Sequence, residues 1–352
     1  MGRRKQAVTI RHVAAAAGVS LQTVSRVVNN EANVRPEMRA KVQAAIDALG
    51  YVPSIAAQRM SGSRSYLILA LNDRDRTIAD WTARQGTDWV DQMLLGGMLE
   101  CAEHGYRMMF ELVDTHSAHV ERELLAAIAA LQPDGVILTP PHSDDPHIVR
   151  VLVEQGIAFA RIGSLGEGGG FSLTMDDGGA AAAATRYLAE LGHKRIGFIA
   201  GSPEYALSHW RSEGWRTAME DAGLAIDGLF REGDFSFESG DVAARELLAG
   251  AGRATAIIAS SDQMALAVRE RARQIGLEVP GDLSIISFDN TPIVRFVQPP
   301  LTAIDQPIAD LTARAVALLI AANRTGGNSQ KVDQVVLPAA LVERQSTAPP
   351  RA

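Results

Sequence analysis

Val19-Ser20-Leu21-Gln22-Thr23-Val24-Ser25-Arg26-Val27-Val28-Asn29 is the stretch from which the rest of the chain is read. At helical spacing it has two unlike faces. Val24, Val27 and Val28 form an apolar side. Gln22, Ser25, Arg26 and Asn29 fall at i, i+3, i+4 and i+7, a polar stripe suited to base edges and phosphates. Upstream, Ile10, Val13, Ala14 and Ala17 make a second apolar stripe at the same spacing. Gly18 supplies a left-handed turn between the two, and Ser20 suits the N-cap of the second helix. Two short helices joined by a Gly-containing turn describe a helix-turn-helix, whose second helix enters the major groove. An ordinary amphipathic helix pair is the rival reading, and the neighbouring residues weigh against it.

A third helix is predicted from about Pro36 to Leu49. Pro36 suits its first turn, Val42, Ala45, Ile46 and Leu49 repeat at helical spacing, and Gly50 ends it. Beyond Tyr51-Val52-Pro53, residues 54–61 have helix-forming character but room for only about two turns, which is marginal in water without support. Charge follows the same division. Residues 1–65 hold ten basic and three acidic residues, a net of +7, while the remainder holds 24 basic and 38 acidic, a net of −14. The overall −7 therefore hides a basic headpiece on an acidic body, which fits DNA at one end and a different partner at the other.

At 352 residues the chain predicts two or three domains, and 47% hydrophobic content places it among soluble globular proteins with a sizeable core. Cys101 is the only cysteine, so neither a disulfide framework nor a cysteine metal cluster is expected. The basic N-terminus is not followed by an apolar run of signal-peptide length. No stretch approaches the roughly 18 apolar residues of a membrane span, so a cytoplasmic protein without a membrane partner is expected.

From Tyr66 onward short apolar runs alternate with amphipathic stretches. Strands are predicted at 66–71, 107–113, 135–139, 158–162, 195–200, 256–259 and 284–288. Helices are predicted at 90–105, 121–131, 178–191, 211–222, 239–248 and 262–275. Alternation of this kind predicts an α/β body with parallel sheets covered on both faces, and about a dozen units are too many for one sheet. Two lobes are expected, with ligand bound at the carboxyl ends of their strands.

The run from Val8 to Ser65 resembles the headpiece of the lactose/galactose repressor (LacI/GalR) family of bacterial transcription regulators. The matching words are Val8-Thr9-Ile10, Ala16-Ala17-Gly18-Val19-Ser20, Gln22 to Asn29, and Leu49-Gly50-Tyr51-Val52-Pro53. The resemblance continues through Asp134-Gly135-Val136-Ile137, Leu191-Gly192-His193-Lys194-Arg195-Ile196, Ser261 to Leu266, Val279 to Ser284, Ser287-Phe288-Asp289-Asn290 and Pro299-Pro300-Leu301-Thr302. It implies an all-α helix-turn-helix headpiece (1–53), a hinge helix and linker (54–64), and a two-lobed periplasmic-binding-protein-like effector domain (65–342). The implied N-lobe is 65–163 with 293–326, and the C-lobe is 164–292 with 327–342. Crossings fall near Gly163, 290–292 and 325–328. Residues 343–352 read as a disordered tail.

The resemblance also implies roles. Leu21, Gln22 and Arg26 would reach bases, Gln pairing with adenine, Arg with guanine, and Leu offering apolar contact. Thr9, Ser20, Thr23, Ser25 and Asn29 would hold phosphates or buttress the helix. Ala57 and Met60 would sit on the hinge helix in the minor groove, with Met60 as wedge where the family usually has Leu. A buried dimer contact is the alternative for Met60. Arg35 replaces a common capping Ser. In the body, Arg211 and Asp289 would grip a sugar across the cleft, with an interlobe ion pair as the alternative. Phe235 would stack on a pyranose, Ser261 would donate in place of Asn, and Arg161 would enter the cleft beside Gly163, which replaces an aspartate. The stretch 72–92 is longer than usual. It reads as a loop at the cleft mouth from which Trp81 or Trp89 would stack on a larger ligand, or as a surface loop with one anchoring Trp.

The resulting expectation is a repressor released from a pseudo-palindromic operator when a mono- or oligosaccharide binds. Lacking a C-terminal leucine heptad, it is expected to be a homodimer. A corepressor-dependent regulator is the first alternative, and a sugar-binding protein of a transport system a distant second. No GxSxG, HExxH, P-loop or CxxC occurs, and the glycine-rich 166–170 lacks Rossmann spacing, so no enzyme, cofactor or metal site is expected.

Overall fold

The computed structural model describes residues 8–28, 33–51, 64–83, 88–166, 168–325 and 334–351. The chain divides into two compact units, 1–66 and 67–352. The first holds α1 (Ile10–Ala17), α2 (Leu21–Val28) and α3 (Pro36–Leu49). Gly18, at φ 65°, closes α1 in the left-handed conformation that costs a residue without Cβ nothing, and its N–H bonds Ala14 O. Gly50, at φ 60°, ends α3 in the same way. The Ser20 hydroxyl accepts the Thr23 N–H at 3.1 Å, capping α2. Arg35, at the N-cap of α3, makes no side-chain cap, as its chemistry requires. Val13, Val24 and Val42, one from each helix, are fully buried, and each contributes about 1.5–3 kcal/mol. The expected hinge helix, with Ala57 and Met60, lies outside the described residues, as does Asn29.

The second unit is built on two sheets. Its elements run β1 (Leu67–Asp73), α4 (Arg74–Ala83), α5 (Asp88–Glu103), β2 (Arg107–Val113), α6 (Val120–Leu131), β3 (Gly135–Leu138), α7 (Pro146–Glu154), β4 (Phe159–Ile162) and β5 (Phe171–Met175). They continue as α8 (Asp177–Glu190), β6 (Ile196–Ile199), α9 (Ala206–Asp221), β7 (Phe230–Arg231), α10 (Phe237–Leu247), β8 (Ala256–Ala259) and α11 (Asp262–Gln274). The last are β9 (Ser284–Asp289), α12 (Pro292–Phe296), β10 (Thr302–Asp305), α13 (Ile308–Thr325), β11 (Gln334–Leu337) and β12 (Ala340–Val342).

Among the described residues one sheet has the order β11-β5-β4-β3-β1-β2, all parallel, and the other β12-β10-β9-β8-β6-β7, parallel except for β12. β3, β4, β6 and β8 are buried along their whole length, as expected where helices cover both faces. In the second lobe Trp215 is wholly buried, stacks on Phe198 at 5.7 Å, and donates its indole N–H to Ile196 O.

The lobe boundaries differ from expectation. β5 belongs to the first sheet, so the chain crosses after Met175 rather than near Gly163. β10 belongs to the second sheet, which moves the next crossing from 290–292 to the segment between Asp305 and Ile308. β11 returns to the first sheet and β12 to the second, so the last crossing lies between Leu337 and Ala340. Each shift has the same cause. β5 alternates apolar and polar residues although fully buried, β10 (TAID) flanks two apolar residues with Thr and Asp, and β11 (QVVL) opens on Gln, so none carries a full apolar run of the kind that marks β8.

The tail is also not disordered through residue 351. The Ser346 hydroxyl donates to Ile285 O at 2.6 Å and accepts the Thr302 N–H at 2.8 Å, while Ile285 N–H bonds Ser346 O at 2.9 Å. Arg351 pairs with Asp282 at 2.8 Å. Small polar residues that read as linker here cover the starts of β9 and β10, two interior strands of the second sheet.

Candidate functional site

Two sites emerge, one in each unit. In the headpiece, α2 buries Val24 and Val27 and leaves Leu21, Gln22 and Arg26 exposed, so the residues expected to read bases share the solvent side of a held helix. Leu21 is 46% exposed at the start of this helix. Thr23 and Ser25 are half-buried at the flank of this face. The Ser20 and Thr23 hydroxyls bond each other at 2.9 Å, a buttress of the first turn. The Thr9 N–H donates to His12 Nδ1 at 3.0 Å, fixing the start of α1.

In the body, strand ends of both lobes enclose a cavity of about 150 Å³. The first lobe contributes Asn72, Asp73, Arg76, Thr77, Asp80, Trp89, Val90 and Pro140. The second contributes Tyr205, Leu207, Arg211, Phe235, Ser261, Asp262, Gln263, Asp289 and Thr291, joined by Gln306 from the crossing segment. Expected residues Arg211, Asp289, Phe235, Ser261 and Trp89 are thus brought together; Arg161 and Trp81 are not.

Arg211 and Asp289 do not face each other across the cleft, because α9 and β9 belong to the same lobe. Arg211 is 2% exposed. Its Nε donates to Asp177 Oδ1 at 2.7 Å, its Nη1 to Ser260 O at 2.9 Å, and its guanidinium lies 4.3 Å from the Phe288 ring centre. Its ion pair is with Asp177, within the lobe. Asp289 ends β9 at φ 96°, and its carboxylate accepts from Gln306 Nε2 and, at 3.4 Å, from the Asp262 N–H. Burial pushes the Asp289 carboxyl up, against the pull of Arg211. Asp262 beside it is pushed up to about 7, first by burial and then by the charge of Asp289. Asp262 Oδ2 accepts the Thr291 N–H at 2.7 Å, whereas Oδ1 is buried and unbonded among the described residues.

Ser261 spends its hydroxyl on the fold, donating to Phe235 O at 2.9 Å and accepting the Met264 N–H at the start of α11. Phe235, at φ 72°, stacks on Tyr205 at 5.4 Å. Arg161 sits in the first lobe away from the cavity. It braces a tight turn through Ser143 O, Gly166 O and Asp144 Oδ1 at 2.6, 2.8 and 2.6 Å. Trp81 is half exposed near Phe110 at 6.2 Å. Among the described residues of 72–92, expected as a loop, β1 ends at Asp73, 74–83 form α4 and α5 begins at Asp88, which puts Trp81 on the outward side and Trp89 on the cavity.

The reading from sequence missed Arg76, Thr77, Asp80, Tyr205, Asp262 and Gln306. One signal was available: Asp73, Arg76, Thr77 and Asp80 fall at i, i+3, i+4 and i+7, one polar helical face. His193 lies in the loop between α8 and β6, buried, where its ring bonds Thr255, Ser284 and Ala348. Among the described residues no group of three metal-ligating side chains occurs, and no helix is long and apolar enough to cross a membrane.

Comparison with known proteins places each part of the chain in a family. Residues 9–54 match the bacterial regulatory proteins of the lacI family, and residues 185–347 match the periplasmic binding protein-like domain. The chain is 33% identical to the transcriptional regulator CelR of Thermobifida fusca over 349 residues, 97% of this chain and 99% of CelR. Among solved structures, it is similar to a transcriptional regulator CelR–cellobiose complex, with TM-score 0.72 and 30% identity over 96% of this chain and 99% of that one. It is also similar to a lac repressor dimer bound to operator and the anti-inducer ONPF, with TM-score 0.76 and 26% identity over 97% of this chain and 100% of that one. With relatives matched at this identity along nearly their whole length, the chain belongs to the lacI family of bacterial regulatory proteins.

Proposed function

We propose that this regulator is a homodimeric repressor that leaves a pseudo-palindromic operator when an uncharged mono- or disaccharide enters the interlobe cavity. The carrying observation is that one chain pairs an exposed Leu21, Gln22 and Arg26 face with a cavity where aromatic rings meet carboxylates. Gln22 and Arg26 supply bidentate donors and acceptors for base edges, and Leu21 an apolar contact. Thr9, Ser20, Thr23 and Ser25 hold phosphates or buttress α2, and the same role is proposed for Asn29. Ala57 and Met60 act in the minor groove. In the cavity Asp289 and Asp262 accept sugar hydroxyls and Trp89 offers an aromatic face, while Arg211 orders Asp177 and the floor. Such a protein works in the cytoplasm, at the nucleoid while DNA-bound, and neither site requires catalysis or a cofactor.

The test is operator affinity by fluorescence anisotropy at a stated physiological salt, with and without cellobiose, ribose and other sugars, on pseudo-palindromic DNA from upstream of the protein's own gene. Release by one sugar is expected. Tightening by a ligand would instead make it a corepressor, and indifference to every sugar would remove the sugar from the account.

A further inference from the structure

Arg76, a cavity residue of the first lobe, reaches over aromatic rings of the second. It stands on α4, whose start is fixed by Asp73 Oδ1 accepting the Arg76 N–H at 3.1 Å and by Asn72 Nδ2 donating to Thr77 Oγ1 at 2.6 Å. From there its Nη1 donates across the cleft to Asp234 O at 2.8 Å. Its guanidinium carbon lies 5.1 Å from the centre of the Phe235 ring and 6.0 Å from that of Tyr205. The ring beneath it is held by its other neighbours. A Cβ at Gly201 would stand 1.9 Å from the Phe235 ring, Tyr205 stacks on it at 5.4 Å, and Ser261 pins its carbonyl at 2.9 Å. Phe235 is 8% exposed as a result. The face that would take a pyranose is covered by a guanidinium, and the bond that covers it also joins the lobes. A second, longer bridge, Tyr205 Oη to Asp73 Oδ2 at 3.4 Å, ends on the same turn.

We propose that Arg76 is a specificity-determining residue of the cleft: it competes with a sugar ring for the face of Phe235 and, while in place, ties the two lobes together. This rests on the sugar-binding reading for its first half and on protein-to-protein contacts alone for its second. A ligand that cannot displace the guanidinium is refused, so selectivity is set by the difference between two occupants of one ring.

The test uses the full-length protein. Spin labels at Asp75→Cys and Glu232→Cys, both exposed positions on opposite lobes, report lobe separation by pulsed dipolar spectroscopy in protein diluted with unlabelled protein; the native Cys101 is 1% exposed. Arg76→Ala is expected to lengthen and broaden the distance, and Arg76→Lys, which keeps a donor but loses the planar stack, to fall between. By calorimetry with cellobiose and glucose, Arg76→Ala is expected to bind about tenfold tighter. An unchanged distance distribution, or weaker binding in Arg76→Ala, overturns the proposal. If neither protein binds any sugar, the sugar reading fails while the distances still decide the latch.

Discussion

Arg26 is exposed on a helix whose opposite face is fixed by Val24 and Val27. Arg26→Ala should lower operator affinity by about 1–3 kcal/mol while costing random DNA little more than one phosphate contact. Equal losses on both, measured by anisotropy, would contradict a base contact. Asp262 makes a prediction about pH. Its folded pKa of about 7 lies above the unfolded carboxyl value, so the folded state holds the proton more tightly. The stability this gives is complete below the unfolded value and is lost as pH rises through about 7. Relative to Asp262→Asn, the wild-type Tm should therefore fall between pH 5 and pH 8, and parallel profiles would contradict it. Asp289 was legible because it follows an apolar strand. Arg161 misled because an Arg near a strand end looks the same whether it meets a ligand or three protein acceptors.

Elements with strong periodicity were legible almost to the residue, as β2 and β8 show; those defined by tertiary burial were not. β5 and β10 carry Ser and Thr inside a buried sheet: Thr174 and Thr302 bond Met175 O and Thr347, while the Ser172 hydroxyl is buried and unbonded among the described residues. α4 was hidden because its face is polar, turned toward a cavity rather than a core. Helix packing gives a prediction at this scale. A Cβ on Gly214 of α9 would lie 2.1 Å from Gly178 O of α8, backbone against which nothing can rotate away. Gly214→Ala should cost about 1–3 kcal/mol by denaturant titration, despite the better helix propensity of alanine, because the helices must part and Arg211 then leaves Asp177. An unchanged or raised midpoint would show that the helices separate freely.

At the scale of the molecule, the headpiece with its net +7 and the body with −14 divide the work. The basic unit is attracted to phosphate and the acidic body is repelled from it, which favours approach by the headpiece. That division, the helix-turn-helix and the two-lobed body were legible from charge and alternation. The lobe crossings were not, because they depend on which sheet each short strand joins. A single molecule is expected to couple the α2 face to the interlobe cavity. Coupling is reciprocal: a sugar that weakens operator binding by some factor must itself bind the operator complex more weakly by that factor. The most direct measurement is calorimetry of the releasing sugar against free protein and against protein saturated with operator at the same salt. Two sugar affinities are expected, with a ratio that matches the sugar-induced change in operator affinity; identical sugar affinities with and without operator would rule the coupling out.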